Sequence, residues 1–356
     1  MEPAVATIFV VSDFHMTTGH DPRTGAAGHH ESFLHDAAFA RFLADAQNRA
    51  AAAGGSCRLL LLGDLFDFLR VGDAAGAMPE RPANSEDVAL AKLERMAAGH
   101  GQTLAALGAF AAAGGSIDIV AGNHDIELTR PSAQAQLREL IVGNDADAAR
   151  SIRVHPWIFY VPGVLYAEHG QQYHDLNSFA TLLSSAHGDD RRIDPPLGSY
   201  LETYRLRLRQ TLDQIAADGT APRAALRALR RHPAVVPRLS RLHVRFADTL
   251  VRDLARRRSR REATRRDRYR RQALPAGAAE IGLPPAILAE IDRLAEAAAR
   301  GLVGRIGRVA LRAKAPGRPL RAAANPTPYL ARAALAIHCL LQAEGADVPY
   351  YVFGHT

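Results

Sequence analysis

Short apolar runs alternate with longer segments of helical periodicity in the first half of the chain. Residues 8–11 and 59–62 are short apolar runs, and residues 117–120 are apolar except for Asp118, which predicts three buried strands. Between them, residues 33–50 and 88–113 place apolar side chains at helical spacing, and a Gly-Gly pair follows each segment. This alternation of strands and helices predicts a layered α/β fold.

Two local signals refine this outline. Ser32 precedes the first helical segment, and its hydroxyl makes it the predicted N-cap of that helix. Residues 158–161 and 164–166 are apolar and flank a Pro-Gly pair, which predicts a β-hairpin.

The pattern becomes helical in the second half of the chain. Apolar residues step by three and four from Leu201, from Leu239 and from Ile287, and prolines separate these three predicted helices. Residues 348–353 then return to strand character. The predicted organisation has three parts: a core over 1–177, a helical insertion over 178–325 and a return to the core over 326–356.

Composition excludes several classes of protein. Hydrophobic residues make up 47% of the 356 residues and charged residues 23%, which excludes a fibrous or wholly disordered chain. Cys57 and Cys339 are the only cysteines, so a disulfide scaffold is excluded and a reducing compartment is favoured. No apolar run is long enough to span a membrane, and residues 1–11 lack the features of a signal peptide. We therefore expect a cytoplasmic protein.

Positive charge is concentrated in the predicted insertion. Residues 191–271 contain 23 arginines and 8 acidic residues, although the whole chain has a net charge of only +7. All but two of the 44 basic residues are arginine, as in the proteins of GC-rich genomes, which weakens the significance of any single arginine cluster.

Three interpretations of the basic insertion stay open. It forms a solvated cap, or it attracts an anionic substrate or an anionic membrane surface, or it binds nucleic acid. The dense run at 252–271, with 11 arginines, keeps the second interpretation open, under which the protein would lie at the inner membrane face. Few aromatic residues are available to stack on bases, which argues against single-strand binding. Those of the basic region are Tyr200, Tyr204, Phe246 and Tyr269.

Polar side chains follow each predicted core strand. The clusters are Ser12-Asp13-Phe14-His15, Gly63-Asp64-Leu65-Phe66-Asp67, Gly122-Asn123-His124-Asp125, Glu168-His169-Gly170 and Gly354-His355-Thr356. Loops at the carboxyl ends of strands converge on one crevice in α/β sheets. Aspartate, asparagine and histidine side chains that meet there are suitable ligands for a divalent metal ion.

Each cluster also has an ordinary structural interpretation. An aspartate near a histidine is often a helix cap, Gly-Asp is often a turn, and a lone histidine is often part of a core. The ordered combination, with each cluster after a strand, favours the metal site. Further histidines near these motifs are predicted to lie on the surface or around the site, with His174 lining the pocket; the others are His20, His29, His30 and His35.

The ordered set resembles the calcineurin-like metallophosphoesterase superfamily. Its pattern is Asp-x-His, Gly-Asp-x-x-Asp, Gly-Asn-His-Asp/Glu, a single His and Gly-His-x-His, and it matches residues 13–15, 63–67, 122–125, His169 and 354–356. The resemblance covers about 1–175 and 330–356. It implies an α/β fold, a four-layer α/β/β/α sandwich with a large helical insertion, and a site for two divalent metal ions.

The resemblance also implies a role for each motif residue. Asp13 and His15 bind the first metal ion, Asp64 bridges both ions, and Asn123, His169 and His355 bind the second. His124 donates a proton to the leaving group or stabilises the transition state, and Asp125 orients it. Manganese is the expected metal, and iron, zinc, cobalt or nickel would suit the same ligands.

The predicted reaction is hydrolysis of an anionic phosphoester, either a phosphodiester or a pyrophosphate. Two metal ions lower the pKa of a bound water and neutralise the phosphoryl oxygens, which this reaction requires. The pattern's second histidine would follow Thr356, so we expect the sequence to be truncated there. The first metal ion then keeps Asp13, His15 and Asp64, and the activity of this chain is in question.

A narrower resemblance concerns the motif at Glu168–Tyr173 and the run at Gly63–Phe68. Both are similar to bacterial proteins grouped with UDP-2,3-diacylglucosamine diphosphatase, which act on a lipid-linked nucleotide sugar. The third motif departs from that group because it has His124 where the group has arginine. Two alternatives stay open: a nuclease that binds nucleic acid through the basic insertion, and a catalytically inactive scaffold with the same fold.

Overall fold

The structure is a computed structural model. It describes residues 7–21, 24–82, 85–155, 157–179, 195–216, 235–257, 259–312 and 329–355. Parts of the basic insertion, such as 191–194 and 217–234, lie outside the described residues, as does Thr356.

Four parallel strands form the first sheet. They are β1 (Thr7–Val11), β2 (Cys57–Leu62), β3 (Ser116–Val120) and β4 (Ile152–His155), in that spatial order. Val11 pairs with Leu61, and Leu62 pairs with Val120, so the carboxyl ends of the first three strands lie at one edge of the sheet. The three predicted strands and the α/β class are confirmed, and β4 is an additional strand.

Helices connect the strands of this sheet and cover one of its faces. They are α1 (Asp36–Ala52), α2 (Glu86–Gly99), α3 (Gly101–Ala112), α4 (Pro131–Val142) and α5 (Ala146–Arg150). Successive residues of a strand point to opposite faces, so Leu59 and Leu61 pack against these helices. Leu60 and Leu62 point to the other face.

Two helix predictions were wrong in detail. Residues 88–113 form two helices, and His100 lies between them, where its ring nitrogens contact Asp36 at 3.0 Å and Glu31 at 3.1 Å. Ser32 is not an N-cap, because α1 begins four residues later with His35 at the cap position. The backbone N–H groups of Ser32 and Phe33 instead donate to the Glu31 carboxylate.

Three strands form a second, mixed sheet. The predicted hairpin is confirmed as β5 (Ile158–Val161) and β6 (Leu165–Glu168), which are antiparallel. The predicted last strand is confirmed as β7 (Tyr350–Phe353), which is parallel to β6. Glu168 pairs with Phe353, so the residues that follow β6 and β7 lie side by side.

The described residues of 178–325 contain helices and no strand. The helices are α6 (Leu197–Ala216), α7 (Val235–Arg257), α8 (Arg260–Ile281) and α9 (Pro285–Arg312), and α10 (Tyr329–Ala343) follows. The helix α8 continues through Pro275, which the sequence pattern had marked as a break. Among the described helices, none combines the length and the apolar character needed to cross a bilayer.

Three hydrophobic clusters hold these elements together. One joins the first sheet to α1–α5, and a second, which contains Leu60 and Phe159, lies between the two sheets. The third packs Tyr166 of the second sheet against α8, α9 and α10, for example through Leu274 and Ile337. The helices α8 and α9 of the predicted insertion therefore belong to the same hydrophobic cluster as the second sheet.

Candidate metal centre

Backbone hydrogen bonds continue between the loops that follow β1 and β2, beyond the end of the sheet. The Asp13 N–H donates to the carbonyl of Gly63 at 3.1 Å, and the His15 N–H donates to the carbonyl of Asp64 at 2.8 Å. These bonds hold Asp13 and His15 beside Asp64. The sequence motifs therefore meet because their strands are neighbours in the sheet.

Several of these residues have an unusual backbone conformation. Asp13, His15, Asp64 and His355 have φ between 51° and 59°, the left-handed region that non-glycine residues seldom adopt. Each such residue costs about 1–2 kcal/mol relative to ordinary backbone. Within the described part of the chain only Trp157 shares this feature outside glycine. The concentration of this strain at one point is typical of a functional site.

Asp64 lies at the centre of the site and is 1% exposed. Its Oδ2 atom lies 3.1 Å from Nε2 of His169 and 3.6 Å from Nε2 of His15. Its Oδ1 atom accepts the backbone N–H of His124 at 2.9 Å. Gly122 makes room for it, since a Cβ atom there would lie 2.1 Å from Oδ1.

Two groups of side chains around Asp64 could each hold a metal ion. One is His15, Asp64 and His124, and the other is Asp64, His169 and His355. Within each group the ligand atoms lie within 4.8 Å of one another, and Asp64 belongs to both. The predicted metal site thus takes the form of two His/Asp clusters that share one carboxylate.

Asp13 and Asn123 border these clusters. The Oδ1 atom of Asp13 lies 4.0 Å from Nε2 of His15, and its Oδ2 atom accepts the N–H of His355 and the hydroxyl of Ser12. The Oδ1 atom of Asn123 is buried and has no hydrogen-bond partner. A buried, unpaired amide oxygen is costly, and a cation would satisfy it. Oxygen and imidazole ligands of this kind suit borderline divalent ions.

The ring orientations at the second cluster are fixed by neighbouring groups. Nδ1 of His169 bonds the carbonyl of Leu62 at 2.9 Å, so Nε2 faces Asp64 and His355. The Asn177 amide contacts Nε2 of His355 at 3.0 Å, which leaves Nδ1 3.1 Å from Nε2 of His169. Outer partners of this kind orient metal-binding imidazoles. The sequence analysis gave no role to Asn177, which lies just beyond the motif at Glu168–Tyr173.

Asp67 has a role that the sequence reasoning missed. Its fully buried carboxylate lies 3.0 Å from Nδ1 of His124 and 3.3 Å from Nδ1 of His15, and Nε of Arg70 lies 3.2 Å away. Asp67 thus holds one imidazole from each of two loops. The only signal in the sequence was its place in the Gly-Asp-x-x-Asp motif.

Asp125 does not contact the His124 ring in the way the resemblance implied. Its carboxylate accepts backbone N–H groups instead, from Gly122 at 2.6 Å and from Leu65 at 2.7 Å. The amides of Asp64 and Phe66 donate to it at 3.3 Å. Asp125 therefore ties the loops after β2 and β3 together, and Asp67 is the residue that orients His124.

The carboxylates determine the charge of the surrounding imidazoles. Burial opposes the charged form of His124, but the neighbouring Asp67 and Asp64 raise its pKa to about 10. The same competition, with Asp64 dominant, raises the pKa of His169 to about 9. Burial and the adjacent His169 lower the pKa of His355 to about 3. Positive charge in the site therefore concentrates around Asp64.

His174 lies at the edge of the second cluster. Its ring centroid is 5.5 Å from that of His355 and 5.4 Å from that of Tyr329. His20 lies in a short bridge with Ala27, and His29 and His30 contact each other in the following turn.

Comparison with known proteins returned no match. No family model, no curated protein and no solved structure shows significant similarity to this chain.

Proposed function

We propose that this protein is a two-metal hydrolase of phosphoester bonds, acting on a phosphodiester or a pyrophosphate. The observation that carries the proposal is the position of Asp64, a buried carboxylate that belongs to two clusters of possible metal ligands. A carboxylate shared in this way sets the separation between two metal ions, which is the arrangement used for in-line displacement at phosphorus.

The ligand sets follow the residues of the site. In the first set Asp13, whose Oδ1 atom lies 4.0 Å from Nε2 of His15, replaces the His124 of the observed cluster. Asp13, His15 and Asp64 would hold one ion. The second cluster gains Asn123, so that Asp64, Asn123, His169 and His355 would hold the other. When bound, such ions supply a water of lowered pKa and neutralise the phosphoryl oxygens. Manganese is the proposed metal, and the unpaired oxygen of Asn123 together with the imidazole nitrogens fits it.

His124 is the proposed proton donor. The Asp67 carboxylate contacts its Nδ1 atom, so Nε2 is the atom available to a leaving group. Hydrolysis joins a water oxygen to phosphorus and breaks the bond to the ester oxygen, which then needs a proton. A protonated imidazole at this point supplies that proton.

The order of the hydrophobic clusters supports the same class of fold. Helices, the parallel sheet, the mixed sheet and further helices follow one another through the three clusters. This order agrees with the four-layer sandwich of calcineurin-like metallophosphoesterases. The proposal also includes a cytoplasmic location, a lipid-linked nucleotide sugar as substrate and contact with the inner membrane face.

The test is Mn²⁺-dependent hydrolysis of bis(p-nitrophenyl) phosphate by the wild-type chain and by Asp64→Asn. We expect turnover by the wild type and a loss of about 1000-fold in the variant, since both ligand groups lose their common member. Circular dichroism and the melting temperature of the variant report whether it is folded. Equal turnover by the two proteins contradicts the proposal.

Metal content distinguishes an enzyme from an inactive scaffold. Elemental analysis after dialysis against Mn²⁺ is expected to give nearly two ions per chain in the wild type. A value near zero, together with no turnover, favours a scaffold that has the fold without the reaction.

A further inference from the structure

Helix α6 contacts core loops near the candidate metal centre at three points along its length. At its start, the Gly198 N–H donates to the carbonyl of Leu176, next to Asn177. One turn later, Glu202 lies 3.3 Å from Nε of Arg70. Near its end, Asp213 lies 3.3 Å from Nε2 of His29. These contacts place α6 of the predicted insertion against the core loops beside the site.

Arg70 links this helix to the catalytic loops. Its Nε atom lies 3.2 Å from Oδ2 of Asp67, the carboxylate that holds His15 and His124. Among the described residues, the side-chain polar contacts of Arg70 all use Nε. Its side chain is 27% exposed, so its terminal nitrogens are available for a ligand.

Glu202 is shared between two guanidinium groups. Both of its carboxylate oxygens accept from Arg205, at 2.6 and 2.7 Å, and one of them also contacts Arg70. Because Arg70 also contacts Asp67, the two guanidinium groups face two carboxylates. Glu202 engages only Nε of Arg70, and it engages Nε and one terminal nitrogen of Arg205, so N–H donors of both groups lie outside these pairs.

We infer that Arg70 and Arg205 form an anion subsite, which binds a second phosphate-like group of the substrate beside the bond that is cleaved. The inference rests on the proposed function for the identity of the cleaved bond. Guanidinium groups recognise phosphate oxygens through paired N–H donors. The shared Glu202 holds two such groups at a fixed spacing next to Asp67.

Other arginines of the helical region lack this connection. Arg252 pairs with Asp248 one turn away on its own helix at 2.8 Å, and its side chain is 73% exposed. Within the described residues, no hydrogen bond or ion pair joins Arg252 or Asp248 to the metal centre. Arg252→Gln is therefore a matched control for Arg205→Gln, since each variant removes one paired arginine.

The experiment compares two chromogenic esters that differ by one phosphate: the 5′-p-nitrophenyl esters of thymidine 5′-phosphate and of thymidine 3′,5′-bisphosphate. We expect the wild type to favour the bisphosphate ester in kcat/KM by about tenfold, the value of one charge-assisted contact. Arg205→Gln is expected to remove most of this preference, and Arg252→Gln to retain it. A preference that is absent in the wild type, or retained in Arg205→Gln, overturns the inference.

A binding measurement separates this inference from the proposed function. If neither ester is hydrolysed, the proposed function fails, and the subsite is tested by calorimetric titration with thymidine 3′,5′-bisphosphate. We expect the dissociation constant to rise about tenfold in folded Arg205→Gln and to stay unchanged in Arg252→Gln. Equal affinity of the wild type and Arg205→Gln overturns the subsite.

Discussion

The strand-end loops and the predicted insertion both concentrate charge, but they place it in different surroundings. In the loops, Asp64, Asp67 and His169 are almost completely buried, and each contacts another ionisable side chain. In the insertion, Arg209 and Arg252 are more than half exposed and pair with an acid on the next turn. A few buried charges therefore indicate a site more strongly than many exposed ones.

The same comparison explains why the net charge of the insertion is a poor guide to a partner. Exposed ion pairs between residues one helical turn apart stabilise a helix by only about 0.3–0.5 kcal/mol, and their main effect is to make the helix surface hydrophilic. Tyr204 and Phe246, two aromatics of the basic region, stack on each other with centroids 4.4 Å apart. They join α6 to α7 instead of presenting a free stacking surface for nucleic acid bases.

The largest loss of stability is expected at Gly122, where the packing leaves no space for a side chain. Gly122→Ala would bring a Cβ atom to 2.1 Å from Oδ1 of Asp64, so the loops after β2 and β3 would separate. We expect a loss of about 3 kcal/mol in the free energy of unfolding, measured with urea. Gly101→Ala is the control, since its Cβ atom meets nothing within 4 Å. Equal stabilities of the two variants would contradict the tight packing described for the site.

The next effect concerns orientation of the imidazoles. Asp67→Asn keeps the shape of the side chain but removes the charge that faces His15 and His124. We expect phosphodiesterase activity to fall by about 10–100-fold, as for other outer partners of metal sites. Asp73→Asn is the control, because Asp73 only caps an exposed turn through Ala75 and Ala77. A rate within twofold of the wild type in Asp67→Asn would show that the contacts are dispensable.

A smaller effect is expected at a buried polar cluster outside the site. Burial opposes ionisation of Glu31, but hydrogen bonds from His100 and Thr17 lower its pKa from 4.5 to about 2. Burial likewise opposes the charged form of His100, but its bonds to Glu31 and Asp36 raise its pKa above 6.5. The carboxylate stabilises the fold fully above pH 4.5 and the imidazolium does so fully below pH 6.5.

Glu31→Gln is therefore expected to cost about 2 kcal/mol at pH 5.5. The difference from the wild type should shrink as the pH falls towards 2, where Glu31 itself is protonated, and as it rises above 6.5. Urea unfolding across this range measures it, and Glu94→Gln, an exposed carboxyl on α2, is the control. A cost that does not vary with pH would contradict the linkage.

The smallest effect is expected in the insertion. Arg252→Gln breaks an exposed pair and should change the free energy of unfolding by less than about 0.5 kcal/mol.

The nuclease alternative makes a different prediction, namely DNA binding that weakens steeply with salt and decreases when arginines of 252–271 are replaced. Absence of DNA binding at low salt would remove that alternative and leave two interpretations of the charge, a solvated cap and a surface that attracts an anionic substrate or membrane.

The strands of the fold were predictable where apolar residues predominate, and β3 was predicted despite its Asp118. β4 was missed because polar residues alternate with apolar ones at Ile152–His155. These polar residues belong to a charge cluster, since Arg153 and His155 both contact the buried Asp118 of β3. The break at His100 could not be predicted for a related reason, because its partners lie more than 60 residues away.

The site was predictable in position and less so in detail. Motifs that directly follow adjacent parallel strands lie side by side at the edge of the sheet. The proximity of Asp64 and His15 could therefore be predicted without knowing how the side chains pack. The roles of Asp67 and Asp125 depend on which way each carboxylate turns within a loop. That choice is fixed by backbone N–H groups of another loop, which no local pattern reveals.

The left-handed backbone at Asp13, His15, Asp64 and His355 has a consequence for mutational scanning. Glycine and asparagine adopt this conformation readily, whereas valine, isoleucine and threonine do not. In a saturation library scored for protein abundance, the four positions should share one profile, with glycine and asparagine retained and β-branched residues depleted. Scored for turnover, the same positions should lose glycine as well. The contrast between the two scores would reveal the site without any ligand, because folding and chemistry select different side chains on the same strained backbone.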